Sequence, residues 1–111
     1  MEYKRSDRVG DLLLELVSEL LMREVNDPRI GSVTLTGTEV THDLRQAKIY
    51  FNLLTGSEGK NEALAGLKSA AGFIRRRVAK DLKLRLVPTI EFVYDDTEER
   101  ARRIDELLKK G

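Results

Sequence analysis

The run Ser69-Ala70-Ala71-Gly72-Phe73-Ile74-Arg75-Arg76-Arg77 places small side chains and a glycine directly ahead of three arginines. That order suits contact with a phosphate backbone. Ala and Gly remove the bulk that would hold a polyanion away, and the arginines bring charge and fixed hydrogen-bond donors for its oxygens. The same run also reads as an ordinary helix with one tolerated Gly, at roughly 1 kcal/mol relative to Ala, and a solvated basic face. Cations continue past it. Arg75, Arg76, Arg77, Lys80, Lys83 and Arg85 lie between Gly72 and Pro88 against Asp81 alone, whereas Glu91 to Glu106 carries seven acids against three arginines. The formal net charge is only +1, so attraction to a polyanion would come from this segregation of sign rather than from total charge.

Catalytic chemistry has less to draw on. His42 is the one side chain that ordinarily titrates near neutrality, and it sits in a polar segment beside Asp43. Asp95 and Asp96, with Glu98 or Glu99, could in principle hold Mg²⁺, but acids at a strand end before a helix more often cap and solvate that helix. With no Cys and a single His, disulfides and thiol catalysis are excluded and a transition-metal site is disfavoured. Gly56-Ser57-Glu58-Gly59 is a literal GxxG, the spacing that clamps nucleic-acid backbone in KH domains. Here it follows a strand instead of joining two helices, and Glu58 would repel phosphate, so it reads as a connecting loop.

The elements that must position these residues follow from periodicity. Val9, Leu12, Leu13, Leu16, Val17, Leu20 and Leu21 recur at helical steps between Asp7 and Asn26, and Asn26-Asp27-Pro28-Arg29-Ile30-Gly31 stops that helix. Val33 to Val40 is β-branched, with Gly37 at a candidate bulge. Gln46 to Leu54 alternates Ala47, Ile49, Phe51 and Leu53 against Lys48, Tyr50 and Asn52, so the two runs predict an antiparallel hairpin across Thr41 to Arg45. Leu64, Leu67, Ala71, Ile74, Val78 and Leu82 share one helical phase from about Asn61. Thr89 to Asp95 forms a third strand, and Thr97, as candidate cap, opens a short C-terminal helix. The order is α+β, with helices covering one face of a three-stranded sheet.

Measured from Ala71 at about 100° per residue, Arg76, Lys80 and Lys83 lie opposite the buried phase, Arg75 sits at its edge and Arg77 on the other flank. Phe73 falls outside that phase. It is either an exposed stacking residue or a sign that the helix changes direction at Gly72, which would turn the ring into the core; the second reading is favoured, because a large exposed Phe needs a reason. Arg76, Lys80 and Lys83 are therefore the first candidates for RNA contacts and Arg75 and Arg77 the next. Arg29, Arg45 and Lys48 would extend the patch if their segments face the same way.

At 111 residues, with 41% hydrophobic and 35% charged residues, the chain fits a single soluble domain spanning 1–111 with an aliphatic core. No apolar run approaches the ~20 residues that cross a bilayer, no secretory signal is apparent, and a cytoplasmic monomer without cofactor is expected.

Several short segments together resemble the ribosome-binding factor A family. They are Asp27-Pro28-Arg29-Ile30-Gly31, Val40-Thr41-His42-Asp43-Leu44 with Ala47-Lys48-Ile49-Tyr50, the Ser69 to Arg76 run, Val87-Pro88-Thr89-Ile90-Glu91-Phe92, and Asp95-Asp96-Thr97 with Arg103-Ile104-Asp105-Glu106-Leu107-Leu108. The resemblance implies a type II KH-like fold in which a helix-kink-helix at Ala70-Ala71-Gly72 replaces the GxxG loop. It further implies binding to 16S rRNA on free or immature 30S subunits, assistance to late 30S maturation and 16S rRNA processing, cold adaptation, and indirect dealings with other assembly factors and GTPases. No enzymatic activity comes with the family. The chain departs from it at Glu98-Glu99-Arg100-Ala101, where relatives commonly have Ile-Glu-Arg-Gly, and it lacks the longer tail of many relatives. Two other classes remain open: a protein-interaction module using the acidic C-terminal region, and a Mg²⁺ enzyme using Asp95 and Asp96.

Overall fold

A computed structural model describes residues 2–110. Helix α1 (Arg5–Arg23) leads through a single 3-10 turn (Pro28–Ile30) into β1 (Val33–Val40) and β2 (Gln46–Leu53). Helix α2 (Lys60–Leu82) then crosses to β3 (Thr89–Tyr94), and α3 (Thr97–Lys110) follows. The sheet order is β1-β2-β3, with β1 antiparallel and β3 parallel to the central β2. A parallel pair cannot be closed by a tight turn, so α2 is the crossover that carries the chain from one end of the sheet back to the other.

Alternation in β2 decides which face is covered. Ala47, Ile49, Phe51 and Leu53 are buried beneath α1 and α2, while Lys48, Tyr50 and Asn52 look to the open face. The expected bulge is present: the β1–β2 register shifts between Leu35 and Gly37, so Thr36 has no partner opposite. This keeps Thr38 and Val40 under α1 after the shift, where Gly10 approaches so closely that a methyl on it would lie 2.5 Å from Thr38 Oγ1.

Two linked apolar clusters hold the helices down. Leu13 and Val17 of α1 meet Ile49, Ile74 and Val78, and Ile30 meets Phe51, Ala63 and Leu67. Phe51 is fully buried and packs edge-on against Tyr94 at 5.7 Å between ring centres. The start of α2 is tied to the same ring, with Lys60 Nζ 5.4 Å from the Tyr94 centroid.

Helical hydrogen bonding runs unbroken from Lys60 to Leu82 through Ala70-Ala71-Gly72, so the kink that the resemblance implies would be a bend within one continuous helix. Ala70 and Ala71 are strong helix formers, and Leu67 and Ile74 are both anchored in the core on either side of Gly72, so its propensity cost of roughly 1 kcal/mol does not break the backbone. Phe73 is not an exposed stacking residue: it turns to the core side, as the favoured reading has it. The buried stripe runs through Ala63, Gly66, Leu67, Ile74 and Val78, with Ala70 half-buried beside it and Ala71 exposed. Phe73 falls on the edge of this stripe, half-buried against the core cluster and capped by the Arg77 guanidinium 5.9 Å from the ring centre.

Helix α3 stands apart, with no buried residue and with Ile104, Leu107 and Leu108 exposed. Its start is held by Asp95, whose carboxylate accepts hydrogen bonds from the backbone N–H and hydroxyl of Thr97 and from the Thr36 hydroxyl at 2.7 Å. The side chain that anchors the start of α3 is therefore Asp95, with Thr97 as its donor. These bonds hold the Asp95 carboxyl below the ordinary aspartate value.

Candidate nucleic-acid interface

The face of α2 turned away from the core carries Ser69, Gly72, Arg76 and Lys80 at steps of three, four and four residues, which aligns them in one stripe. All four are exposed. The N-terminal half of this stripe is small and the C-terminal half is cationic. A methyl built on Gly72 would meet only the Arg76 Nη1, at 3.4 Å; the guanidinium leans back over the bare backbone one turn earlier. Nothing in the packing therefore requires glycine there. Gly66 differs, because a methyl on it would lie 2.8 Å from Ile30 Cγ2 and 3.2 Å from Arg29 Cβ. One glycine of α2 admits a neighbouring segment of the protein, and the other faces open space.

The expected cations divide into free and engaged groups. Arg75, Arg76 and Lys80 are exposed and join no ion pair among the described residues. Lys83 is exposed too, but it lies one residue past the helix in a left-handed conformation at φ 50°, so it caps α2 instead of continuing the helical stripe. Arg77 is engaged: Nη1 donates to Glu24 Oε1 at 2.6 Å and Nη2 to Asp81 Oδ2 at 3.1 Å, and only 30% of its side chain is accessible. Those two carboxylates raise the Arg77 pKa above its ordinary value.

Arg29 forks onto Asp27, with Nη2 2.7 Å from Oδ2 and Nε 3.1 Å from Oδ1, and its backbone N–H also donates to Asp27 Oδ1. A further bond from Nη2 to Ser69 Oγ at 3.3 Å brings it to the edge of the stripe. The hydrogen bonds from Arg29 lower the Asp27 pKa. Arg29 thus locks the Asp27–Gly31 segment onto the Gly66 seat, with much of its charge compensated.

Arg45 and Lys48 go different ways. The Arg45 carbonyl accepts from Thr89 N–H at 2.9 Å, which sets this exposed arginine at the sheet end reached by the segment leaving α2, where Lys83 and Arg85 also stand. Its guanidinium is 3.9 Å from Asp43, an exposed and weak pairing. Lys48 lies on the open sheet face, opposite the side that α2 covers, and the register sets it between Glu39 and Glu91. It does not extend the α2 patch. Two further exposed cations were not among the candidates for RNA contacts: Lys68, one residue before Ser69, and Arg85, counted in the basic run without an assigned contact. Both were visible as cations, but their placement depends on where α2 meets the core and where the chain turns after Leu82.

The alternative chemistries find little support in the geometry. Among the described residues no group of three or more His, Cys, Asp or Glu side chains is arranged to hold a metal ion. Asp95 is committed to Thr36 and Thr97, and His42 lies exposed in the hairpin turn where Asp43 accepts from Thr41 and Arg45. No helix among the described residues is long and apolar enough to cross a membrane.

Both the sequence and the fold have known relatives. Residues 5–108 match the family model of ribosome-binding factor A. A ribosome-binding factor A from Geobacter metallireducens is 49% identical over 108 residues, covering 97% of this chain and 92% of the relative. The crystal structure of ribosome-binding factor A from Thermus thermophilus superposes with a TM-score of 0.70 at 21% identity, covering 80% of this chain and 93% of that one. A homology model of Thermus thermophilus ribosome-binding factor A, fitted into a cryo-EM map of its complex with the 30S subunit, superposes with a TM-score of 0.57 at 23% identity, covering 77% of this chain and 93% of that one. The three-helix, three-stranded arrangement is thus the KH-like fold of these structures, and the chain belongs to the ribosome-binding factor A family.

Proposed function

We propose that this protein is a non-enzymatic assembly factor that binds the small ribosomal subunit through the outer stripe of α2 and contacts 16S rRNA there. The observation that carries this reading is the run of Arg75, Arg76 and Lys80, without carboxylate partners, next to a Gly72 that the protein's own packing does not need. Phosphate oxygens would meet the cations while the RNA backbone comes close over Ser69 and Gly72, with Lys83, Arg85 and Arg45 continuing the basic surface. Arg29 and Arg77 serve mainly to hold the segments around the surface. Family membership, and the 30S complex in which a Thermus thermophilus relative has been placed, supply the partner.

The protein would act by occupation in the cytoplasm, as a monomer. It would hold a local rRNA conformation on a free or immature 30S particle through late maturation and 16S rRNA processing, a need that is greatest in the cold, and deal only indirectly with other assembly factors and GTPases. Co-sedimentation with purified 30S subunits tests the surface. Arg76→Glu combined with Lys80→Glu abolishes association at moderate salt while leaving the circular dichroism spectrum and melting temperature close to those of the parent. Unchanged co-sedimentation of the folded double variant would remove α2 as the contact.

A further inference from the structure

Asp81 is one residue from Lys80, and Glu24 reaches the same region of α2 from the end of α1. Lys80 adjoins Asp81, and Arg76 adjoins the Arg77 that meets Glu24, so both carboxylates lie within a turn or so of these two cations, a separation comparable to the screening length of about 8 Å at physiological salt. Left unpaired, they would oppose any phosphate arriving at Arg76 and Lys80. Arg77 binds both at once, at 2.6 and 3.1 Å. Its guanidinium is held in that position by the Phe73 ring at 5.9 Å, while its Nε is buried without an acceptor. The side chain is thus committed inward and sideways, and 30% exposure leaves little of it for a ligand.

We propose that Arg77 is a positioning residue for RNA binding: it touches no RNA, and acts by neutralising Asp81 and Glu24 so that Arg76 and Lys80 face the ligand without competing carboxylates. This rests on the reading that α2 is the 30S-binding surface. The three charged groups together carry one net negative charge with Arg77 present and two without it. The extra charge would stand at the edge of the basic stripe, where both the local potential and the direction of neighbouring lysine and arginine side chains respond to it. A guanidinium suits this task better than an ammonium, because its planar fork can serve two carboxylates while its face covers an aromatic ring.

The test is a double-mutant cycle on the intact protein with Arg77→Met, Asp81→Asn and their combination. The Met side chain keeps an apolar stem over Phe73. Dissociation constants are measured against purified 30S subunits, the salt needed for elution is measured on a heparin column, and melting temperatures are recorded for every variant. Arg77→Met should weaken 30S binding by about threefold to tenfold, Asp81→Asn alone should change it by less than about twofold, and the combination should recover most of the loss. Arg77→Lys, which keeps the charge, should bind nearly as the parent does. Equal effects of Asp81→Asn in both backgrounds, with the salt slope lowered by about one phosphate, would show a direct Arg77 contact and overturn the proposal. So would unchanged binding by folded Arg77→Met despite a lower melting temperature. If Arg77→Met does not fold, Arg77→Gln completes the cycle. Failure of the parent to bind 30S subunits would defeat the proposed function separately, and the pattern of heparin elution would still decide the role of Arg77.

Discussion

Replacing Gly72 by Ala separates what the fold needs from what binding needs. An added methyl meets only the flexible tip of Arg76, at 3.4 Å, and no backbone or core atom. The residue lies inside a continuous helix and its φ is not positive. Under those conditions the change removes the entropic cost of glycine and should stabilise the protein by about 0.5–1 kcal/mol. For a domain of this size that is a rise of roughly 2–6 °C in melting temperature. On the 30S subunit the effect should reverse: the methyl widens the closest approach over the stripe, and Gly72→Leu widens it further. Thermal melts followed by circular dichroism give the first quantity and co-sedimentation at fixed salt the second. A graded loss of binding from Gly to Ala to Leu, against a gain in melting temperature for Ala, is expected. Two results would refute the reasoning. If Gly72→Ala lowers the melting temperature, the glycine is needed by the fold; if folded Gly72→Leu binds 30S subunits as the parent does, no ligand backbone passes over this position.

Gly66→Ala should behave in the opposite sense, costing roughly 1–3 kcal/mol because its methyl would press on Ile30 Cγ2 and Arg29 Cβ; chemical denaturation measures the loss. Acid should weaken the same contact. The Asp27 pKa is depressed by hydrogen bonds from Arg29, so the stability it contributes is complete above the ordinary value of 3.8 and is lost as pH falls through the lowered folded value. Asp27→Asn should therefore show a shallower fall in melting temperature below about pH 4 than the parent, and an identical fall would assign the acid response to other groups. At the alkaline end, the Tyr94 hydroxyl donates to Glu99 at 2.6 Å and its pKa is pushed up to about 12, chiefly by that bond and by desolvation. Its contribution is complete below pH 10 and disappears as pH rises through about 12, so ultraviolet titration should show a tyrosine ionising near pH 12, distinct from Tyr3, whose pKa is also raised by its bond to Asp11, and Glu99→Gln should bring only the former forward.

Strand limits were legible because each was marked twice, by β-branched or alternating residues within and by turn formers beyond. The bulge at Gly37 and the hairpin turn at Thr41–Arg45 follow from such local signals. The orientation of α2 was less so. Its apolar residues are spread widely enough that the stripe can be centred on Ala71 or on Ala70, and the tertiary contacts with Ile30, Ile49 and α1 select the second. That rotation brings Phe73 to the edge of the buried face. Arg77 was legible as a cation and not as an engaged one, since Glu24 lies 53 residues earlier and meets it only after α1 and α2 pack. Lys48 is a different matter: its alternation with Ala47 and Ile49 already set it on the face away from the buried side chains, so its exclusion from the patch was available in the sequence.

The parallel pairing of β2 with β3 has a consequence for how the molecule comes into being. The α1–β1–β2 portion can collapse around local contacts and offers α2 the Ile30, Ile49 and α1 surfaces on which it packs, but the crossover closes only when β3, separated from β2 by the whole of α2, docks beside it. Closing that long segment is the entropically expensive step of the topology and belongs to the slower part of folding. The cationic stripe is carried on the crossover itself. A nascent or half-unfolded chain would therefore hold the same residues without their geometry, and a particle that selects for the complete stripe also selects for a finished protein.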